Sequence, residues 1–515
     1  MTKKKILWVD DEIDSLKPHI LFLQQRGFEV LTASSGDDAL VKVRKETLDL
    51  ILLDEMMPGK DGLTTLEEIK EINPHLPVVM VTKSEEESLM EEAIGQKIDD
   101  YLTKPVNPSQ VLMVAKRHLD TKKIISESQI KRYMTEINRF NQKLFGALEP
   151  QDWLEAGRIL AAWDLEMDES PDEGLEQTHL GTRKEWNTEF TKYLDRHYLK
   201  WLHSDHRPVL SPDVLRKYMI PPLRAGQNVL LIVVDCMRLD QWMTIESLLA
   251  EFYNIQRESY FSLLPSATPF ARNALFSGLF PDQIHQMYPD NYGGDDEGSL
   301  NRNEDRLLAD FVAREKVKLT SNVRYEKVFD NTEGEVLAKR AADFYQSQLV
   351  AFVFNFLDIM AHGRSNNVIL KEIAGSEAAF RSLMKSWFIH SPLFSILKSF
   401  ADRKFTVIVT SDHGSVLCSR GTMAHGRRDT STNLRYKYGD NLNVDTRHAL
   451  LVKNPAEFRL PRFNLATTYI IAKEDYYFVY PNKYNEYIRQ FQNSFQHGGI
   501  SLEEMVVPIA VLTPR

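Results

Sequence analysis

Short apolar runs alternate with amphipathic stretches over the first 120 residues. Residues 5–9, 28–32, 48–53, 77–81 and 98–102 read as strands; 14–26, 36–46, 63–71, 85–95 and the segment after Pro108 read as helices. Continuous apolar strands separated by helices predict a parallel sheet covered on both faces, with chemistry at the carboxyl ends of its strands. From 121 to 205 the strand signal fades. Helix formers dominate, with widely spaced aromatics: Phe140, Phe145, Trp153, Trp163, Trp186, Phe190, Tyr193, Tyr198 and Trp201. This pattern predicts a small helical bundle whose aromatics pack rather than stack on a ligand, interrupted by an acidic loop at 166–174. After Pro221 and Pro222 the β/α pattern returns. A strand at Asn228–Val234 ends in Asp235, and one at 405–410 precedes Asp412. The expected fold is α/β: a doubly wound N-terminal domain over 1–121, a helical bundle over 122–216, and a second α/β domain over 217–515. Residues 288–305 have the composition of a mobile loop or lid.

Length adds a bound. A chain of 515 residues, 43% hydrophobic, accommodates roughly three domains and needs neither disulfides nor a structural metal for its core. Its two cysteines, Cys236 and Cys418, read as small buried thiols, not as a metal pair. The apolar segment near the start is too short for a signal peptide and ends in acids, and no window resembles a spanning helix, so the expected location is the cytoplasm. A net charge of −10 argues against stable binding of duplex DNA, and no recognition helix is evident. A short oligonucleotide held by metals in a pocket remains compatible with that charge.

The first candidate constellation lies at the strand ends of the N-terminal domain. Asp10 and Asp11 follow the first strand, Asp54 ends the third, Thr82 the fourth, and Lys104 follows the fifth, with Pro105 offering a cis bond. Three converging carboxylates suit Mg²⁺, which takes oxygen ligands; Lys104 can meet phosphoryl oxygens, and Thr82 can donate a hydroxyl once Asp54 is phosphorylated. With the run Met56 to Gly62, residues 5–120 resemble a two-component response-regulator receiver of the CheY-like fold. The resemblance implies that Asp54 is the phosphoacceptor, that Asp10 and Asp11 with Asp54 hold Mg²⁺, that Thr82, Tyr101 and Lys104 form the switch, and that a sensor histidine kinase is the phosphoryl donor.

The second constellation is dispersed. Asp412, His413 and Gly414 follow a strand, Asp358 and His362 are spaced to share a helical face or a loop turn, and His497 precedes two glycines and is read as following a helix. With Asp235 these are six good Zn²⁺ ligands. Thr268 precedes Pro269, a residue suited to a helix start, where amides and dipole favour phosphate. Its hydroxyl, ionised by a metal, would be a nucleophile; the alternative is an ordinary N-cap, and Ser266 is the less favoured competing nucleophile.

Residues 217–515, most sharply Phe495 to Pro508, resemble the PglZ domain of the alkaline phosphatase superfamily. The whole order resembles the PorX-type response regulators of type IX secretion in Bacteroidota. That resemblance implies Asp235, Thr268, Asp412 and His413 at one zinc and Asp358, His362 and His497 at the other. No insertion for a third, Mg²⁺ site is evident, which favours a phosphodiester, cyclic or short linear, over a monoester. His425, Arg427 and Arg428 are candidate substrate contacts, or a plain surface loop. A phosphorylation-promoted homodimer is expected. The competing reading is a signalling scaffold that binds a sigma factor or secretion component.

Overall fold

The computed structural model describes residues 3–83, 98–289, 301–366, 375–426, 433–480 and 484–515, leaving aside the side chains of 120–126, 362–366 and 484. The chain divides into two compact units, Met1–Thr135 and Glu136–Arg515.

In the first unit, among the described residues, β1 (Lys5–Val9), β2 (Glu29–Ala33), β3 (Leu50–Asp54), β4 (Val78–Thr82) and β5 (Asp100–Thr103) form a parallel sheet in the order β2-β1-β3-β4-β5. Alternation along each strand feeds two separate cores. Ile6, Trp8, Leu50 and Leu52 join one face, while Leu7, Val9, Ile51 and Leu53 join the other. This is why the strands read as unbroken apolar runs. Helices start where side chains cap free amides: Ser35 accepts from Asp38 N and Asp61 from Thr64 N. The stretch expected as one helix at 14–26 is a 3₁₀ turn, Ile13–Leu16, followed by an α-helix, Lys17–Gln25, with Pro18 in its first turn. The helix expected at 85–95 lies outside the described residues. The helix after Pro108 runs through Leu144 without a break at 121.

In the second unit, β6 (Asn228–Val234), β7 (Tyr253–Phe261), β8 (Arg324–Val328), β9 (Leu349–Phe354) and β10 (Phe405–Thr410) join a C-terminal strand, Val506–Pro514. The order is β7, C-terminal strand, β10, β6, β9, β8. The run from β10 to β8 is parallel and the C-terminal strand is antiparallel to both of its neighbours. The parallel strands all finish at one edge, where Asp235, Asp412 and the helix Phe356–Asn366 begin.

The helices Pro150–Glu169 and Glu173–His203 belong to this second unit. Their aromatics are packing residues: Trp153 meets Phe190 at 5.2 Å between ring centroids and Trp201 meets Phe261 of β7 at 5.0 Å. Phe145, in the connection before Pro150, is exposed. A buried ion network holds the helices to the α/β body. Arg183 pairs with Asp164 and Glu377, and Arg381 with Asp168 at 2.7 Å and Asp240 at 2.9 Å. The acidic loop expected at 166–174 is correspondingly shorter: the first helix continues to Glu169, because Asp168 is drawn onto Arg381, and Asp172 already caps the next. Cys236 and Cys418 are free and buried. Among the described residues, no helix is long and apolar enough to cross a membrane. Residues 290–300 of the expected lid lie outside them.

Candidate active site

Asp235 leaves the end of β6, where its amide bonds to the Phe354 carbonyl at 2.9 Å. Cys236 then turns with φ +66°, so that its amide faces Asp412 Oδ1 at 3.4 Å. The Asp412–His413 loop is pinned on several sides. Tyr260 donates its hydroxyl to the Ser411 carbonyl, Ser262 to the Asp412 carbonyl at 2.7 Å, and Ser411 to the His413 carbonyl at 2.8 Å. Gly414 is required by space: a Cβ there would lie 2.0 Å from the Glu503 carbonyl oxygen.

Thr268 is the first residue of the helix Thr268–Ser277, with Pro269 in the first turn and Ala267 at the N-cap. Its hydroxyl is therefore not a cap. It lies 3.0 Å from His413 Nε2 and 3.4 Å from Asp235 Oδ1. Ser266, the rival nucleophile, donates to the Gly499 carbonyl at 2.6 Å. His497 arrives by a route different from the expected one. It follows a short strand, Ser494–Gln496, not a helix, and that strand pairs antiparallel with Val416–Cys418 just beyond the Asp412 loop. The His497 and His413 rings stack at 4.3 Å, and His497 Nε2 lies 3.3 Å from Asp358 Oδ1 on the helix Phe356–Asn366. Gly498, with φ +112°, makes the turn, and a Cβ there would strike Tyr436 at 2.4 Å.

Ligand atoms of Asp235, Asp412 and His413 lie within 4.8 Å of one another, and all three residues are buried. Two features fit this set to a metal ion. The Gly414 carbonyl can only accept, so His413 Nδ1 donates to it at 3.0 Å, and neutral Nε2 turns its lone pair toward Asp235 and Thr268. Asp412 Oδ1 takes the surrounding amides, while the buried Oδ2 accepts no hydrogen bond among the described residues. Electrostatics agrees. Burial, opposed by Arg272 and reinforced by Asp412, pushes the Asp235 carboxyl well above its usual range. Burial would also raise Asp412, but His413 and Arg272 hold it below the ordinary value. Burial lowers the pKa of the His413 imidazole, with Asp412 opposing the shift. Crowded carboxylates that resist ionising together call for a cation.

One cation is already there, and sequence reading missed it. Arg272, buried, places Nη1 2.9 Å from Asp235 Oδ2 and Nε 2.7 Å from Glu304 Oε1. The available signal was its spacing: four residues after Thr268, it occupies the same helix face.

In the first unit, ligand atoms of Asp10, Asp11 and Asp54 likewise lie within 4.8 Å of one another. Lys104 Nζ bridges Asp10 at 2.9 Å and Asp54 at 2.8 Å, and the Lys104–Pro105 bond is cis. Burial raises the Asp54 carboxyl despite Lys104, with Asp10 and Asp11 adding to the rise. Thr82 is buried at the end of β4, and Tyr101 on β5 is exposed. Of the remaining candidates, the side chains of His362, Arg427 and Arg428 lie outside the described residues. His425 is exposed at the end of a strand, in register with Asn443.

A CheY-like receiver, followed by helices and an α/β domain of the alkaline-phosphatase type with a clustered Asp/Asp/His site, is the class defined by fold and geometry. Residues 6–116 match the response regulator receiver domain, 123–202 the PorX response regulator linker domain, and 214–512 the BREX system PglZ alkaline phosphatase-like domain. The last match covers more than half of the chain, which belongs to the PglZ family and has the PorX-type architecture. Curated relatives are similar to about a fifth of the chain. The alkaline phosphatase synthesis transcriptional regulatory protein PhoP of Bacillus subtilis is 38% identical over 110 residues, 21% of this chain and 45% of that protein. The transcriptional regulatory protein ZraR of Salmonella typhimurium is 38% identical over 105 residues, 20% of this chain and 24% of that protein. The chain thus spans about half or less of the length of the curated relatives it matches. Among solved structures, the receiver domain of NtrX from Brucella abortus is 36% identical, covers 22% of this chain and 98% of its own, and has a TM-score of 0.22. A CheY-like receiver domain protein from Methanospirillum hungatei is 31% identical, covers 23% of this chain and 96% of its own, and has a TM-score of 0.23.

Proposed function

We propose that the chain is a response regulator whose PglZ domain is a zinc-dependent phosphodiesterase acting on cyclic or short linear oligonucleotides, with type IX secretion as the regulated process. The observation that carries this reading is the Thr268 hydroxyl, at a helix start and within 3.4 Å of both Asp235 and His413. Asp235, Thr268, Asp412 and His413 would hold one zinc, and Asp358, His362 and His497 a second. Bound zinc supplies Lewis acidity, lowering the pKa of a coordinated hydroxyl and taking up charge on phosphoryl oxygens. Thr268 Oγ1 attacks phosphorus in line as the ester oxygen leaves, and water then cleaves the phosphothreonine. The positive end of the helix dipole at Thr268 favours the negative phosphoryl group. His425, Arg427 and Arg428 are proposed substrate contacts.

In the receiver, Asp10, Asp11 and Asp54 hold Mg²⁺ while Asp54 accepts a phosphoryl group from a sensor histidine kinase. Lys104 meets the new charge, and Thr82 and Tyr101 relay it to a homodimer contact. Sedimentation with and without a phosphoryl analogue checks the dimer, and an unchanged monomer removes it. Hydrolysis of bis-nitrophenyl phosphate and of short oligonucleotides tests the enzyme reading: activity that vanishes on zinc removal and returns on zinc addition is expected. Zinc uptake without hydrolysis of any ester would favour the competing role, a scaffold for a sigma factor or secretion component.

A further inference from the structure

Asp235 divides its two oxygens. Oδ1 faces Thr268 Oγ1 at 3.4 Å and His413 Nε2 at 3.7 Å, whereas Oδ2 is held by Arg272 Nη1 at 2.9 Å. Arg272 is 2% exposed, and its Nε also lies 3.8 Å from Asp412 Oδ2. A guanidinium this close to two candidate ligands would repel a metal ion unless its charge were balanced. Glu304, 1% exposed, supplies that balance with Oε1 2.7 Å from Arg272 Nε. Lys327 lies 3.1 Å from Glu304 Oε2, and Tyr325 donates its hydroxyl to the same oxygen. The chain Asp235–Arg272–Glu304, closed by Lys327 and Tyr325, is thus a buried line of alternating charge leading away from the metal-ligand cluster.

We propose that Arg272 and Glu304 are a positioning pair for the Asp235 metal site. Arg272 claims Oδ2 so that only Oδ1 is presented for coordination, and Glu304 cancels the guanidinium charge that would otherwise oppose a divalent ion. This deepens the metallohydrolase reading and rests on it. Outer partners of this kind typically change metal affinity by about 10–100-fold when altered. A purely structural pair would affect folding but not the metal.

The test uses the full-length chain, zinc titrated against a chromophoric chelator, and the visible absorption of the cobalt-loaded protein. Glu304→Gln keeps the shape, leaves Arg272 unbalanced, and is expected to weaken zinc binding by about 10-fold or more. Arg272→Gln frees Asp235 Oδ2 and is expected to shift the cobalt spectrum. The double variant is expected to bind zinc more tightly than Glu304→Gln alone, because the unbalanced charge has gone; that non-additivity is the signature of the pair. Circular dichroism verifies folding, and if Arg272→Gln does not fold, Arg272→Met serves in its place, since methionine removes the charge while keeping a long apolar stem. Wild-type affinity in Glu304→Gln, or a double variant no tighter than the single, overturns the pairing while leaving the metal site standing. A wild-type chain that takes up neither zinc nor cobalt overturns both.

Discussion

Both units gather carboxylates at the carboxyl ends of parallel strands, yet they balance them differently. In the receiver, Asp10 and Asp54 are buried but Asp11 is exposed, and Lys104, on a flexible stem, bridges the pair. In the PglZ domain, Asp235, Asp412 and His413 are all buried, and the balancing cation is a planar arginine locked between Asp235 and Glu304. A partly open cluster bridged by a single ammonium is compatible with an incoming phosphoryl group and with Mg²⁺. A closed cluster, with the Asp412 oxygens sorted by amides and the His413 tautomer set by Gly414, suits a resident ion with nitrogen and oxygen ligands. The same topological rule thus places a candidate phosphoacceptor cluster in one sheet and a candidate catalytic centre in the other.

The sharpest way to break this contrast is Asp54→Ala. Incubated with acetyl phosphate and Mg²⁺, it should lose acid-labile labelling completely while zinc content stays at the wild-type level; equal labelling would remove Asp54 as the acceptor. Next in size is Thr268→Ala, expected to lower phosphodiester turnover on the order of 10³-fold with zinc retained, measured as kcat on bis-nitrophenyl phosphate. Full activity would refute Thr268 as nucleophile.

Histidine replacements should produce a smaller, graded effect. His413→Ala, beside Thr268, should weaken zinc binding and turnover more than His497→Ala, and the reverse ranking in a zinc titration would reverse their roles. The smallest effect is on stability against acid. Burial pushes Asp164 up, but Arg183, His179 and Arg381 bring it down to about 2. Its contribution is therefore present above the ordinary carboxylate pKa and is lost as pH falls from 3.8 toward 2. Asp54, raised instead, disfavours the folded receiver above its folded-state pKa, and that penalty is relieved as pH falls through the folded-state pKa toward the ordinary value. Acid should accordingly loosen the second unit before the first. Asp164→Asn should cost that unit about 3 kcal/mol at neutral pH, because the buried Arg183 and Arg381 lose one of their compensating charges. Calorimetry across pH 2–7 resolves both, and a second unit outlasting the receiver in acid would contradict the assignment.

Sequence alone determined the α/β class, the receiver's strand ends and the identity of most chemical groups, because strand residues buried on both faces leave unbroken apolar runs that end at the reactive positions. It also singled out Asp235, Thr268, Asp412 and His413, each just past an apolar run or just before a helix start. Tertiary structure decided what those groups do together. Only folding shows Ala267, not Thr268, at the N-cap, Ser266 turned to Gly499, and His497 delivered by a strand pairing with Val416–Cys418. Arg272 and Glu304 were silent for the same reason: 32 positions apart, they meet only when the helix Thr268–Ser277 packs beside Glu304, and a salt bridge between distant residues leaves no periodicity to read. Local pattern records burial and turn chemistry; charge pairing across the fold is set by packing.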